Sequence, residues 1–116
     1  HYFSNLIELS ILSLIYNRIS SIHPNSFRNL NKLKGLDLSY NCLFKLDSYV
    51  FSNLPNLETL LLNRNLIKSI QNLANSSLHH LIRLYVSSNF IERVNLSKKV
   101  FPSLTVLDLS SNYLLK

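Results

Sequence analysis

The chain of 116 residues holds one glycine, one cysteine and three prolines, and it has no methionine or tryptophan. A single glycine excludes a glycine-rich loop of the kind whose backbone cradles phosphates. A single cysteine, Cys42, excludes an internal disulfide and a thiolate cage for zinc. No apolar run exceeds three residues, so no stretch of this sequence can act as a transmembrane helix or as the apolar core of a signal peptide. Acids are scarce too, six against twelve Lys and Arg, giving a net charge of +6. The basic residues are scattered (Arg18, Arg28, Lys32, Lys34, Lys45, Arg64, Lys68, Arg83, Arg93), with Lys98 and Lys99 the one adjacent pair. Nucleic-acid binding calls for a basic stripe interleaved with aromatics. Without one, the charge reads as a solvated surface, and no nucleic-acid partner is expected.

What the sequence has is a repeat. Leu33-Lys-Gly-Leu-Asp-Leu-Ser-Tyr-Asn-Cys-Leu-Phe-Lys-Leu46 follows the skeleton Leu-x-x-Leu-x-Leu-x-x-Asn-x-Leu-x-x-Leu, which also starts at Leu9, Leu57, Leu81 and Leu104. Its asparagines are Asn17, Asn41, Asn65, Asn89 and Asn112, at intervals of 24, 24, 24 and 23 residues. A fixed period of this length signals a stacked solenoid, in which each unit buries its apolar face against its neighbours. Residues 1–8 match the end of a unit, since Phe3, Leu6 and Leu9 align with Phe27, Leu30 and Leu33. We therefore expect residues 1–116 to form one array of about 4.5 repeats without terminal caps, a fragment of a longer array.

Each unit opens with apolar–polar alternation, as in Leu36-Asp-Leu-Ser, which predicts a short half-buried strand. Strands 24 residues apart must pair in parallel, because the chain makes one turn between them. The asparagine falls where the chain leaves the strand, and its amide can both donate to and accept from a tight turn. The five asparagines are read as a structural ladder. The second half of the unit carries Phe27 and Leu30, or Phe51 and Leu54, on a return of extended or helical-turn backbone. Asn75 and Lys99 stand where later units should have Phe, so Leu73 or Ala74, and Val100 or Phe101, are expected to fill that volume. The C-terminal half should then have the more irregular convex side.

These motifs resemble the leucine-rich repeat family over the whole chain, in its 24-residue animal form with Phe in the return. The resemblance implies an α/β fold: a right-handed solenoid with a parallel sheet on its concave face and an irregular or short-helical convex face. Leu36-Asp-Leu-Ser-Tyr-Asn41 and Leu107-Asp-Leu-Ser-Ser-Asn112 are similar to the wording of Toll-like receptors. By that likeness the chain is expected to be part of an extracellular or cell-surface receptor ectodomain in innate immunity or related signal transduction. Its partner would be a protein ligand or co-receptor, and membrane attachment would come only through segments outside this sequence. The alternative is a cytoplasmic leucine-rich adaptor or enzyme-regulatory subunit.

Recognition residues are sought among the outward-facing columns of the sheet, which are free of packing duty. Tyr16, Tyr40, Arg64, Arg83 and Tyr85 are of the types favoured in interface hot spots. Asp37 and Asn63 offer directional polar contacts, and Leu61 lies in the same central column. Sequons at Asn75-Ser-Ser77 and Asn95-Leu-Ser97 are candidate glycosylation sites. Catalysis is not expected. Asp37 and Asp108 stand three repeats apart, roughly 14–15 Å at about 4.8 Å per strand, too far for a carboxylate pair. His79 and His80 are adjacent and have no nearby acid or Cys, so neither a metal nor another cofactor is implied.

Overall fold

A computed structural model describes residues 3, 5–97 and 99–115. Lys98 of the adjacent basic pair lies outside them. Five three-residue strands form one parallel sheet in chain order: β1 Ile11–Ser13, β2 Gly35–Asp37, β3 Thr59–Leu61, β4 Arg83–Tyr85 and β5 Val106–Asp108. The register sets Ile11, Gly35, Thr59, Arg83 and Val106 side by side, with Leu36, Leu60, Leu84 and Leu107 following Leu12 in the next row. This is the leucine-rich repeat solenoid, with its sheet on the concave side.

The strands are short for a local reason. Three residues after each strand the backbone turns left-handed, at Tyr16, Tyr40, Arg64, Ser88 and Ser111, with φ between 54° and 61°. The main-chain ladder still runs past the strand ends. Leu14, Leu38, Leu62 and Val86 each donate to the next repeat, at 2.7 to 2.9 Å.

The core lies behind the sheet. Leu36, Leu38, Leu60, Leu62, Leu84 and Val86 are wholly buried, and Phe27 and Phe51 close the interior from the convex return. Phe3 stacks on Phe27 with centroids 6.1 Å apart. Where Phe is missing, Leu73 and Phe101 are the buried replacements, while Ala74 and Val100 are only half-buried. Asn75 is thereby turned out to solvent.

The convex side corrects one expectation. Irregularity does not increase toward the C-terminus; the two middle returns are helical and the outer ones are turns. Helix α1 (Ser48–Phe51) is capped by Asp47, whose carboxylate accepts the Tyr49 N–H at 2.8 Å. Helix α2 (Gln71–Ala74) starts without a side-chain cap at Ile70, but the Ser69 hydroxyl accepts the Gln71 N–H at 3.1 Å. The presence of Phe does not decide between helix and turn, since the return with Phe27 is a turn and the one with Leu73 in its place is helical.

Candidate functional site

The asparagines form a continuous polar spine at the strand exits. The Asn41 amide donates to the carbonyls of Leu38 and Ser39 in its own turn and to Leu14 of the preceding repeat, at 2.9 to 3.2 Å. Its carbonyl oxygen accepts the N–H groups of Asn17 and Ile19, also in the preceding repeat. Asn89 repeats this pattern toward Leu62, Val86, Ser87, Asn65 and Ile67. Asn65 and Asn112 likewise bridge adjacent repeats. Asn17, at the start of the spine, is exposed, and its side-chain amide donates only within its own turn, to Leu14 and Ile15. No buried side-chain nitrogen or oxygen among the described residues lacks a partner.

The spine fixes the direction of the residue just before each asparagine. A left-handed conformation at a non-glycine residue costs about 1–2 kcal/mol, and the turn holds it through the ladder bonds Tyr40 N–H to Asn63 and Arg64 N–H to Ser87, at 2.9 and 3.0 Å. The side chains are thrown outward along one rim of the sheet. Tyr16 and Tyr40 meet there with centroids 4.4 Å apart, and the Arg64 guanidinium lies 5.6 Å from the Tyr40 ring. The structure thus brings three of the candidate residues into one stack. Tyr16 is 68 % exposed and Tyr40 is 40 % exposed, and Arg64 forms no ion pair among the described residues.

On the sheet face the other candidates separate. Arg83 is exposed, while Asp37, Leu61 and Tyr85 are half-buried in the central column. A shallow basin of about 410 Å³ lies between Ile11, Gly35, Thr59 and Leu61, with Asp37 and Glu58 at its sides. Gly35 contributes no side chain to it, and a Cβ there would lie 3.7 Å from the Ile11 side chain. Asn63 differs from a freely presented ligand contact. Its oxygen already accepts from the Ser87 N–H and hydroxyl, at 2.8 and 2.9 Å. In the same row Ser39 is buried and donates no outward bond, its oxygen accepting the Asn63 N–H at 3.2 Å. Asp37 and Asp108 each accept the N–H two residues on, at 2.9 Å. The Ser110 hydroxyl, and then its N–H, hold the Asp108 carboxyl below its ordinary value of 3.8. The Asp-Leu-Ser wording therefore serves the turn as much as the surface.

Asn75 and Asn95 are both exposed, and His79 and His80 are exposed on the return. Among the described residues no group of three His, Cys, Asp or Glu could hold a metal ion, and no helix is long and apolar enough to cross a membrane. One surface was not foreseen from sequence. Leu66, Phe90 and Tyr113, each directly after a ladder asparagine, are exposed on the lateral edge beside Phe44. The available signal was that this slot holds Arg18, Cys42, Leu66, Phe90 and Tyr113, so that its last three members are large apolar residues outside the buried pattern.

A stiff parallel sheet with a recurring turn and variable outward side chains defines a solenoid scaffold for protein interaction. The pattern of the leucine rich repeat matches residues 7–67 and 55–114. The chain belongs to the leucine-rich repeat family. No curated protein sequence matches it. Among solved structures, the TLR13–ssRNA13 complex is 31 % identical with a TM-score of 0.82, over 95 % of this chain and 16 % of that one. The Toll–Spatzle complex of Drosophila, described as a molecular hub in development and innate immunity, is 25 % identical with a TM-score of 0.84, over 95 % and 16 %. Internalin C2 of Listeria monocytogenes, 23 % identical with a TM-score of 0.80 over 98 % and 47 %, shares the fold. The chain thus spans less than half the length of each of these proteins.

Proposed function

We propose that the chain is a non-catalytic recognition scaffold within an extracellular or cell-surface ectodomain of Toll-like type, binding a protein ligand or co-receptor across its concave face. The observation that carries this reading is the exposed Tyr16–Tyr40–Arg64 stack. Aromatic and Arg side chains held in a fixed geometry lose little freedom on binding and form strong interface anchors. The basin around Gly35, with Arg83 and Tyr85 across the sheet, extends the same face. We read the chain as a section of a longer array, whose adjoining repeats would cover the part-exposed Leu12 and Leu107.

Of the two Toll-type complexes, one is with single-stranded RNA and the other with Spatzle. A protein ligand suits this chain better, because its lysines and arginines are dispersed and the rim stack holds a single cation. Proteins captured from the native fluid on immobilised chain should fall at least tenfold with the variant Tyr16→Ala/Tyr40→Ala/Arg64→Ala, with circular dichroism unchanged. Equal capture by the folded variant would refute the concave-face reading. RNA captured in place of protein would refute the choice of ligand.

The extracellular reading is supported by sequons at Asn75 and Asn95, both exposed residues. Glycosidase treatment of the protein from its native source should lower its mass at both sites. An unchanged mass together with a reduced, reactive Cys42 would favour the cytoplasmic adaptor or regulatory subunit instead.

A further inference from the structure

We propose that the lateral edge of the solenoid is a second docking site, built for an acidic segment of a partner protein that carries apolar side chains. This surface is separate from the concave rim and does not rest on that reading. Phe44, Leu66, Phe90 and Tyr113 are 51 %, 45 %, 42 % and 61 % exposed. Phe90 and Tyr113 stack nearly parallel, with centroids 5.5 Å apart and planes 10° from parallel.

Phe44, Leu66 and Phe90 line a groove of about 840 Å³. Lys45 and Lys68 border it, Ser69 and Asn72 supply polar groups, and no carboxylate is among its lining residues, Glu92 lying in the adjoining cleft with Lys68, Phe90 and Tyr113. Neither lysine forms an ion pair among the described residues, where the pair present is Lys32 with Glu8, 2.7 Å apart.

The arrangement selects the occupant by charge. Burying the apolar side chains under a neutral partner would leave two ammonium groups partly desolvated and unpaired, which is unfavourable. A second copy of this chain would bring the same lysines and a like net charge of +6. An acidic segment pairs both lysines while its apolar side chains cover Phe44, Leu66 and Phe90. Such a partner is also steered to the site at low salt.

A phage-displayed library of random 16-residue peptides (a length chosen to exceed about four helical turns) tests this. Selection uses the wild-type chain, with soluble Leu66→Ser/Phe90→Ser chain in excess as competitor. Enriched peptides should be rich in Asp and Glu together with Leu and Phe. Synthetic copies should bind the variant at least tenfold more weakly by fluorescence anisotropy. Lys45→Gln/Lys68→Gln should weaken binding similarly and reduce its salt dependence, which keeps the test decisive if the first variant folds poorly. Four results overturn the proposal. These are no enrichment, enrichment of neutral or basic peptides, equal binding to both variants, and a wild-type dimer on light scattering that the Phe90 variant loses. Binding of wild type to anionic vesicles in place of peptides would also overturn it.

Discussion

Each inner asparagine serves two repeats at once, so its removal is felt twice. Without Asn89, the N–H groups of Asn65 and Ile67 lose their partner in a buried site, while the carbonyls of Leu62 and Val86 each keep one amide donor, from Asn65 and Asn112. Unpaired buried groups of this kind cost about 1–3 kcal/mol each before relaxation and water entry. Asn89→Ala should therefore lower unfolding stability by about 3 kcal/mol. Asn17→Ala, at an exposed position whose side chain bonds only its own turn, should cost under about 1 kcal/mol by the same reasoning. Urea denaturation of the two variants gives the comparison, and equal losses would contradict the ladder's role in coupling repeats. The neighbouring left-handed residue explains why the recognition side chains and the spine lie next to each other. Tyr40 and Asn41 are consecutive, one turned out by its φ of 57° and the other tied in by its amide.

At the level of the element, the unit is a three-residue strand, a turn and a return, and much of it was legible in sequence. Strand register followed from the 24-residue spacing alone, because a solenoid gives strand pairing no other freedom. The inward leucines and the outward Arg83 and Tyr85 followed from alternation. Less was legible past the strand. Ser39 and Asn63 continue the outward phase in sequence, yet the turn draws them into bonds with each other and with Ser87. Alternation ends where the backbone turns left-handed, and sequence alone does not mark which side chain the turn recruits. The lateral apolar edge was missed for a related reason. Leu66 and Phe90 look like core residues by composition, and only the turn geometry shows that their side chains remain outside. The lost Phe slot was readable as a choice between neighbours, which packing decided in favour of Leu73 and Phe101. Leu73→Ala should cost about 2–5 kcal/mol, as for other buried leucines, whereas Asn75→Ala, out in solvent, should stay within about 0.5 kcal/mol. Thermal unfolding of both would check which residue carries the missing volume.

As a whole, the molecule measures about 44 × 31 × 19 Å. Stacked repeats give it stiffness, and stiffness makes its surfaces useful for recognition. The same leucines and asparagines recur in every turn, so they carry no information about a partner. That information lies in the side chains that change from turn to turn. On the rim these are Tyr16, Tyr40 and Arg64, and on the lateral edge Leu66 and Phe90. The central claim is this division between residues that hold the solenoid and residues that are free to read a ligand. Urea unfolding of Tyr40→Ala beside Leu38→Asp tests it most directly. Leu38 is wholly buried, so an unpaired carboxylate there should abolish cooperative folding. Tyr40→Ala should unfold within about 1 kcal/mol of wild type, as exposed substitutions do. If Tyr40→Ala unfolded the chain as severely as Leu38→Asp, the rim would be scaffold and the account would be wrong.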